Sequence, residues 1–315
     1  MNIENRSLTV TARPDAPDRS SRLQNHARKQ VAFCLLLLAL ATRCLAQDPT
    51  FRDEVKLVEV YATVFEQGRA VDNLTRDQFE IRDDGKPQPI RVFEATDRAL
   101  SCALLLDTTG SMRDSIPQLR NAARDFIGAL RPADSIGVYS STDHLEELQE
   151  VTPDHVAARR ALVRLRAGGR TALFDAVSQL AREFRRRPGK KVIIVLTDGG
   201  DNASVLNMKS AAQSARKSGI PVFAIAEGQA LRDGTASDLL RKLAESTGGR
   251  VYKASKSSDI ENVLAAIAKD LQNGYLLAFK VPEEESATAW HELRISVKDT
   301  ARPMQVRART GYAVE

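Results

Sequence analysis

The sequence predicts an α/β protein: a doubly wound, mostly parallel sheet inserted into a small discontinuous β-sandwich formed by N- and C-terminal strands. Three observations predict it. Between residues 98 and 273, short apolar runs alternate with segments of helical period, the pattern of parallel strands and their crossover helices. Two of those runs, Leu104-Leu105-Leu106 and Val192-Ile193-Ile194-Val195-Leu196, stop at Asp107 and at Thr197-Asp198. Carboxylates therefore stand at the carboxyl ends of strands, where an open sheet holds its ligands. Outside that span the apolar period returns to two, and a sandwich needs both ends of the chain because neither offers enough strands alone.

The chain opens with a polar stretch, then Arg28-Lys29, the apolar run Val31 to Thr42 and the small-residue ending Cys44-Leu45-Ala46. A basic flank, a short apolar core and small residues before a cut read as an export signal over residues 1–46. The core falls short of the ~20 residues of a spanning helix, so the mature chain is expected to be periplasmic or extracellular, with an uncleaved N-terminal anchor as the variant. This leader holds seven of the 46 basic and three of the 41 acidic residues, which leaves 39 and 38 behind it. The basic balance of the whole chain thus belongs to the leader and gives no reason to expect nucleic-acid binding. Beyond the leader only Cys102 remains, so no disulfide within the mature chain is available, and its place in an apolar run reads as a buried hydrophobe.

From Val55 an alternation with Val58, Val60, Ala62 and Val64 on one face predicts a strand up to the turn at Glu66-Gln67-Gly68-Arg69. Phe79 to Arg82 and Ile90 to Phe93 flank Asp83-Asp84-Gly85-Lys86, a hairpin signal, with Pro87 and Pro89 delaying the second arm or placing it on an edge. Met112, Ile116, Leu119, Ala123, Phe126, Ile127 and Leu130 then fall at helical spacing until Arg131-Pro132. A strand at Ser135 to Ser140 and a more polar edge strand at Leu145 to Val151 follow, then helices at Val156 to Leu165 and Leu173 to Phe184. After the Val192 strand come helices at Asn207 to Lys217, Ser237 to Ala244 and Ser258 to Leu271, interleaved with strands at Pro221 to Ile225 and Arg250 to Tyr252. Tyr275, Leu277 and Phe279, then Leu293, Ile295 and Val297, then Met304, Val306 and Ala308 mark three closing strands. The expected organisation is leader 1–46, first part of the β domain 51–97, α/β domain 98–273 and second part of the β domain 274–315.

The chemistry is concentrated in Asp107-Thr108-Thr109-Gly110-Ser111, where a carboxylate and two hydroxyls at alternate positions lead from a strand into a helix. Gly168-Gly169-Arg170-Thr171 places another hydroxyl at a helix start, and Asp198 brings a second carboxylate to a strand end. Oxygen donors of this kind suit a hard divalent cation. Any one hydroxyl is explained by helix capping alone. All five in this order, each at a strand end or helix start, are not.

The order Asp107, Thr109, Ser111, then Thr171, then Asp198 resembles the metal-ion-dependent adhesion site (MIDAS) of von Willebrand factor A (VWA) domains, a Rossmann-like fold. The stretch Leu74 to Gln88, the motif Asn273-Gly274-Tyr275-Leu276-Leu277-Ala278-Phe279 and the ending Val306 to Tyr312 extend the resemblance to the bacterial VWFA-related family of acidobacterial type. The resemblance implies that these five residues surround one Mg²⁺ or Mn²⁺, some through water, and that an Asp or Glu of a partner protein completes the shell. The family's usual middle serine is Thr109 here, which keeps the hydroxyl and adds a methyl. An adhesion-type binding module without covalent chemistry follows.

Two other readings compete. Asp107-Thr108-Thr109-Gly110-Ser111 also resembles the phosphorylation loop of haloacid-dehalogenase-like phosphohydrolases, with Asp107 as nucleophile and Thr197-Asp198-Gly199-Gly200-Asp201 as a second Mg²⁺ loop. Against it, Thr108 stands where that loop carries lysine, and Gly168 to Thr171 have no task. A metal-free envelope scaffold is the third reading. The basic run Arg182, Arg185, Arg186, Arg187, Lys190 and Lys191 reads as a solvated helix end, His144, His155 and His291 as surface or edge residues, and Trp290 as packed on the sandwich.

Overall fold

The structure is a computed structural model that describes residues 57–95, 99–187, 189–198, 200–281, 290–298 and 303–313. The leader expected over residues 1–46 lies outside the described residues. Among the described residues, no helix is long and apolar enough to cross a membrane.

Nine strands from the two ends of the chain form two antiparallel sheets. Leu57–Glu66 (β1) pairs with Tyr275–Lys280 (β12) along its first half and with Arg69–Val71 (β2) and Met304–Arg307 (β14) along its second, while Val92–Ala95 (β5) pairs with the far side of β12. Phe79–Asp83 (β3), Lys86–Gln88 (β4), Trp290–Val297 (β13) and Gly311–Ala313 (β15) make the second sheet in the order β15-β13-β3-β4. Alternation puts Val58, Val60, Ala62, Val64, Tyr275, Leu277 and Phe279 of one sheet against Phe79, Ile81, Leu293 and Tyr312 of the other in a single apolar core. The expected hairpin turn forms at Asp84 and Gly85, both with positive φ, but its second arm is Lys86–Gln88. Pro87 is tolerated there because β4 is an edge strand. The stretch expected to be that arm instead supplies β5, which crosses to the other sheet.

Between β5 and β12 the chain builds the six-stranded sheet: Leu100–Asp107 (β6), Ser135–Ser141 (β7), Leu145–Thr152 (β8), Lys190–Thr197 (β9), Val222–Ala226 (β10) and Val251–Lys253 (β11), ordered β11-β10-β9-β6-β7-β8. All pairs are parallel except β7 with β8, the polar edge strand. Helices Ile116–Ala129 (α1), His155–Ala161 (α2) and Ser257–Gln272 (α6) contribute to the apolar core on one face. Leu173–Phe184 (α3), Met208–Lys217 (α4) and Gly234–Ser246 (α5) contribute to the core on the other. Helix α1 starts at Ile116 and not at Met112: a short 3-10 turn occupies Gly110–Met112, and Pro117, which needs no N–H partner, sits in the first turn of the helix. Helix α2 is shorter than its period suggests because the chain tightens to a 3-10 turn at Leu162–Arg164.

Strand register decides which residues share the carboxyl edge of this sheet. Asp107 pairs with Ser141, Leu106 with Leu196, and Ala226 with Thr197. The last residues of β7, β6, β9 and β10 therefore stand in one row, and Thr142, Thr108, Asp198 and Glu227 lie one step beyond it.

Candidate functional site

Asp107 ends a strand of apolar residues and is itself 0% exposed. Its Oδ1 accepts the Thr109 N–H at 3.0 Å and its Oδ2 accepts the Thr197 hydroxyl at 2.7 Å. Burial raises its pKa above the usual carboxylate value; the hydrogen bonds from Thr197 and Thr109 oppose that, and the charge of Asp198 adds to it. The Thr109 and Ser111 hydroxyl oxygens are 3.1 Å apart, Thr109 buried and Ser111 exposed. Three of the sequence-selected residues thus form one local cluster.

The segment carrying Thr171 is tied to this cluster through backbone. Gly168 donates its N–H to the Thr108 carbonyl at 2.8 Å, and Ala172 donates to the Thr142 carbonyl at 2.9 Å. Gly169 has φ +71°, and a Cβ there would lie 2.8 Å from Asp143 Oδ2, so this turn needs glycine. Thr171, buried, donates its N–H to Asn202 Oδ1 at 3.0 Å, and its carbonyl accepts the N–H groups of Asn202 and Ala203. The Arg170 guanidinium donates to the Asn202 carbonyl. Loop 168–172 is therefore hydrogen-bonded to the Asp107 loop on one side and to the loop after Asp198 on the other. Asp198 is half-buried, and its carbonyl accepts the Ala230 N–H at 2.6 Å.

The sequence model of the von Willebrand factor type A domain matches residues 102–266, more than half of the chain. The chain belongs to the VWA family. A UPF0353 protein of Mycolicibacterium paratuberculosis is 25% identical over 199 residues, covering 53% of this chain and 60% of its own. A UPF0353 protein of Mycobacterium leprae is 22% identical over 224 residues, covering 62% and 65%. The chain thus spans about three-fifths of the length of the curated relatives it matches. Among solved structures, a von Willebrand factor type A protein from Catenulispora acidiphila superposes with a TM-score of 0.50 at 14% identity, over 84% of this chain and 76% of that one, a likeness of fold.

One residue of this VWA crevice escaped the sequence reading. Glu227 follows β10 as Asp198 follows β9, and its N–H donates to the Thr197 carbonyl at 3.0 Å. It is only 8% exposed, and its Oε1 is buried without a hydrogen-bond partner. Burial, with Asp198 and Asp107 adding their charges, pushes its pKa up to about 7. The missed signal was the one used twice elsewhere, an apolar strand that ends in an acid. Among the described residues, no Lys or Arg forms an ion pair with Asp107, Asp198 or Glu227. Carboxylates and hydroxyls gathered without a counter-charge fit a hard divalent cation.

Asp201, by contrast, is used locally: its Oδ2 accepts the Phe174 N–H at 2.8 Å at the start of α3, and its Oδ1 accepts the Ser204 N–H. Other sequence expectations need correction. Lys190, read as part of a solvated basic run, is buried and donates to the Leu271 carbonyl at 2.6 Å; burial lowers its pKa to about 8. His291, read as a surface or edge residue, is buried with Nδ1 at 2.9 Å from Asp84 Oδ2. Next to it the Tyr312 hydroxyl donates to Asp83 at 2.7 Å, and ligand atoms of Asp83, Asp84 and His291 lie within 4.8 Å of one another, a group away from the Asp107 crevice that could hold a metal. Trp290 starts β13, but its ring lies under the Arg216 guanidinium of α4, 4.0 Å from its centroid, and not only against the sandwich.

Proposed function

We propose that this VWA protein is an exported binding module that holds Mg²⁺ or Mn²⁺ with Asp107, Thr109, Ser111, Thr171 and Asp198 and captures an Asp or Glu of a partner protein. The single observation that carries the reading is the closure of three distant loops on Asp107. Gly168 bonds to Thr108, Thr197 bonds to Asp107, and Thr171 bonds to Asn202, while among the described residues no Lys or Arg pairs with the acids they enclose. When bound, the cation supplies a Lewis-acidic position that a visiting carboxylate can occupy.

The residues of the chain prepare that position. Thr197 and the Thr109 N–H hold the Asp107 carboxylate in one orientation, so little ordering is left for the moment of binding. Neutral hydroxyls at Thr109, Ser111 and Thr171 add oxygen donors without adding charge, which keeps the site attractive to an incoming anion. No step in this function makes or breaks a covalent bond. The phosphohydrolase alternative is disfavoured, because Asp201, its second-loop acid, is turned to the start of α3 and Thr108 stands in the place of its lysine.

The test is isothermal titration of the protein with Mg²⁺ and Mn²⁺, followed by capture of partners from envelope extract with and without chelator. The expected result is one saturable site abolished by Asp107→Ala, and capture that is lost both with chelator and with Asp198→Ala. Identical capture in chelator would reject adhesion through the cation.

A further inference from the structure

We infer that Glu227 is a third carboxylate of the cation site, set at the strand end next to that of Asp198 and acting on the ion through its charge. The inference rests on the cation-binding reading above and adds to it a residue outside the five-residue motif.

Register supplies the first argument. Ala226 pairs with Thr197, so Glu227 stands beside Asp198 at the same height on the carboxyl edge. The backbone locks that placement: the Glu227 N–H bonds to the Thr197 carbonyl, and the Ala230 N–H is shared between the carbonyls of Asp198 and Glu227 at 2.6 and 3.0 Å. At Gly228, where φ is +53°, a Cβ would lie 3.2 Å from Asp198 Cβ, so the two strand ends pack as closely as glycine allows. The second argument is the orphaned oxygen. Burying a carboxylate oxygen with no donor is unfavourable, and a cation that reaches it removes that penalty. The third is electrostatic: the charges of Asp198 and Asp107 both oppose the ionisation of Glu227, and the counter-charge that would relieve all three acids is a cation among them.

A helix-capping or packing role would make a different prediction. Glu227 precedes a short 3-10 turn, Gly228–Leu231, and its carboxylate Oε1 bonds to none of that turn's N–H groups. If its role were structural, removing the charge would weaken the protein with and without metal. As a carboxylate of the cation site it does the reverse: removing the charge strengthens the metal-free protein and weakens the metal-bound one.

The experiment titrates Mn²⁺ into wild type, Glu227→Gln and Asp198→Ala by calorimetry and follows thermal unfolding of each with Mn²⁺ and with EDTA. The expected result is at least a tenfold rise in the Mn²⁺ Kd for Glu227→Gln, with a higher Tm than wild type in EDTA and a smaller Tm gain on adding Mn²⁺. A Kd within twofold of wild type, while Asp198→Ala abolishes binding, would overturn the assignment of Glu227 and leave the cation site standing. Failure of wild type itself to bind Mn²⁺ or Mg²⁺ would overturn both. A measurement on the unaltered chain covers a variant that fails to fold: with ¹³C-labelled carboxylates, the Glu227 signal should broaden together with those of Asp107 and Asp198 at substoichiometric Mn²⁺. Its persistence at full occupancy while theirs vanish would equally reject the inference.

Discussion

The same strands treat buried charge in opposite ways at their two ends. At the amino end of the six-stranded sheet, Asp134 is 0% exposed just before β7, and its oxygens accept the Leu100 N–H at 2.9 Å, the Arg131 N–H at 3.0 Å and the Arg131 guanidinium at 3.2 and 3.3 Å. Lys190 opens β9 there with its ammonium on the Leu271 carbonyl. At the carboxyl end, Asp107 and Glu227 are as well hidden, yet hydroxyls and backbone are all that meets Asp107, and nothing in the described structure meets Glu227 Oε1. The first end is internally neutralised and the second is not. A buried acid with its own arginine holds a fold together, whereas buried acids grouped without one favour the approach of external positive charge.

The largest effect that would break this contrast is at the amino end. Asp134→Ala removes the carboxylate that accepts from the Leu100 N–H and the Arg131 guanidinium, and should lower stability by about 3 kcal/mol or more in urea unfolding, with or without metal. A loss under ~1 kcal/mol would mean that the amino end is not held by this pair. At the carboxyl end, a divalent cation at 100 times its Kd should add about 2.7 kcal/mol to the same unfolding free energy, reversed by EDTA and absent in Asp107→Ala.

Of comparable size is a pH effect at Lys190. Its folded pKa of about 8 lies below the ordinary lysine value of 10.5, so between those pH values the unfolded chain binds more protons than the folded one. Stability from this group therefore rises as pH increases from 8 to 10.5, on the order of 3 kcal/mol. Lys190→Met should flatten that rise relative to wild type in denaturation profiles taken across the interval. The smallest effect sharpens the comparison at Thr109: Thr109→Ser keeps the hydroxyl that meets Ser111 and should leave cation affinity within about threefold by calorimetry. A larger change would give the extra methyl a role in shaping the site.

What could be read from the sequence follows from the range of the forces involved. Strands β6 and β9 announce themselves because a buried parallel strand is a continuous apolar run, and the acids that end them stand out against it. Helices α1, α3 and α4 carry the 3.6-residue period over enough turns to be read directly. The delayed start of α1 at Pro117 and the short arm Lys86–Gln88 are local effects of one or two residues, which a period cannot register. The pairing of His291 with Asp84 joins residues 207 positions apart, and the burial of Lys190 depends on α6 ending above it; both arise only once the chain has folded. Glu227 differs from these. Its strand is as apolar as the other two, but it is only five residues long and its acid is followed by no second hydroxyl or carboxylate, so it lacked the local pattern that drew attention to Asp107 and Asp198.

The strands by which the chain leaves and rejoins the sandwich are hydrogen-bonded neighbours, with Ala95 opposite Tyr275. Linking those two positions by a tight turn would convert β5 and β12 into an ordinary hairpin and release the 100–272 segment as a portable cassette. The host sandwich would keep all its strand pairings, and an exchanged cassette would have to supply again the contacts that cross to the frame, among them the Arg216 guanidinium on Trp290 and the Asp270 carboxylate on Arg307.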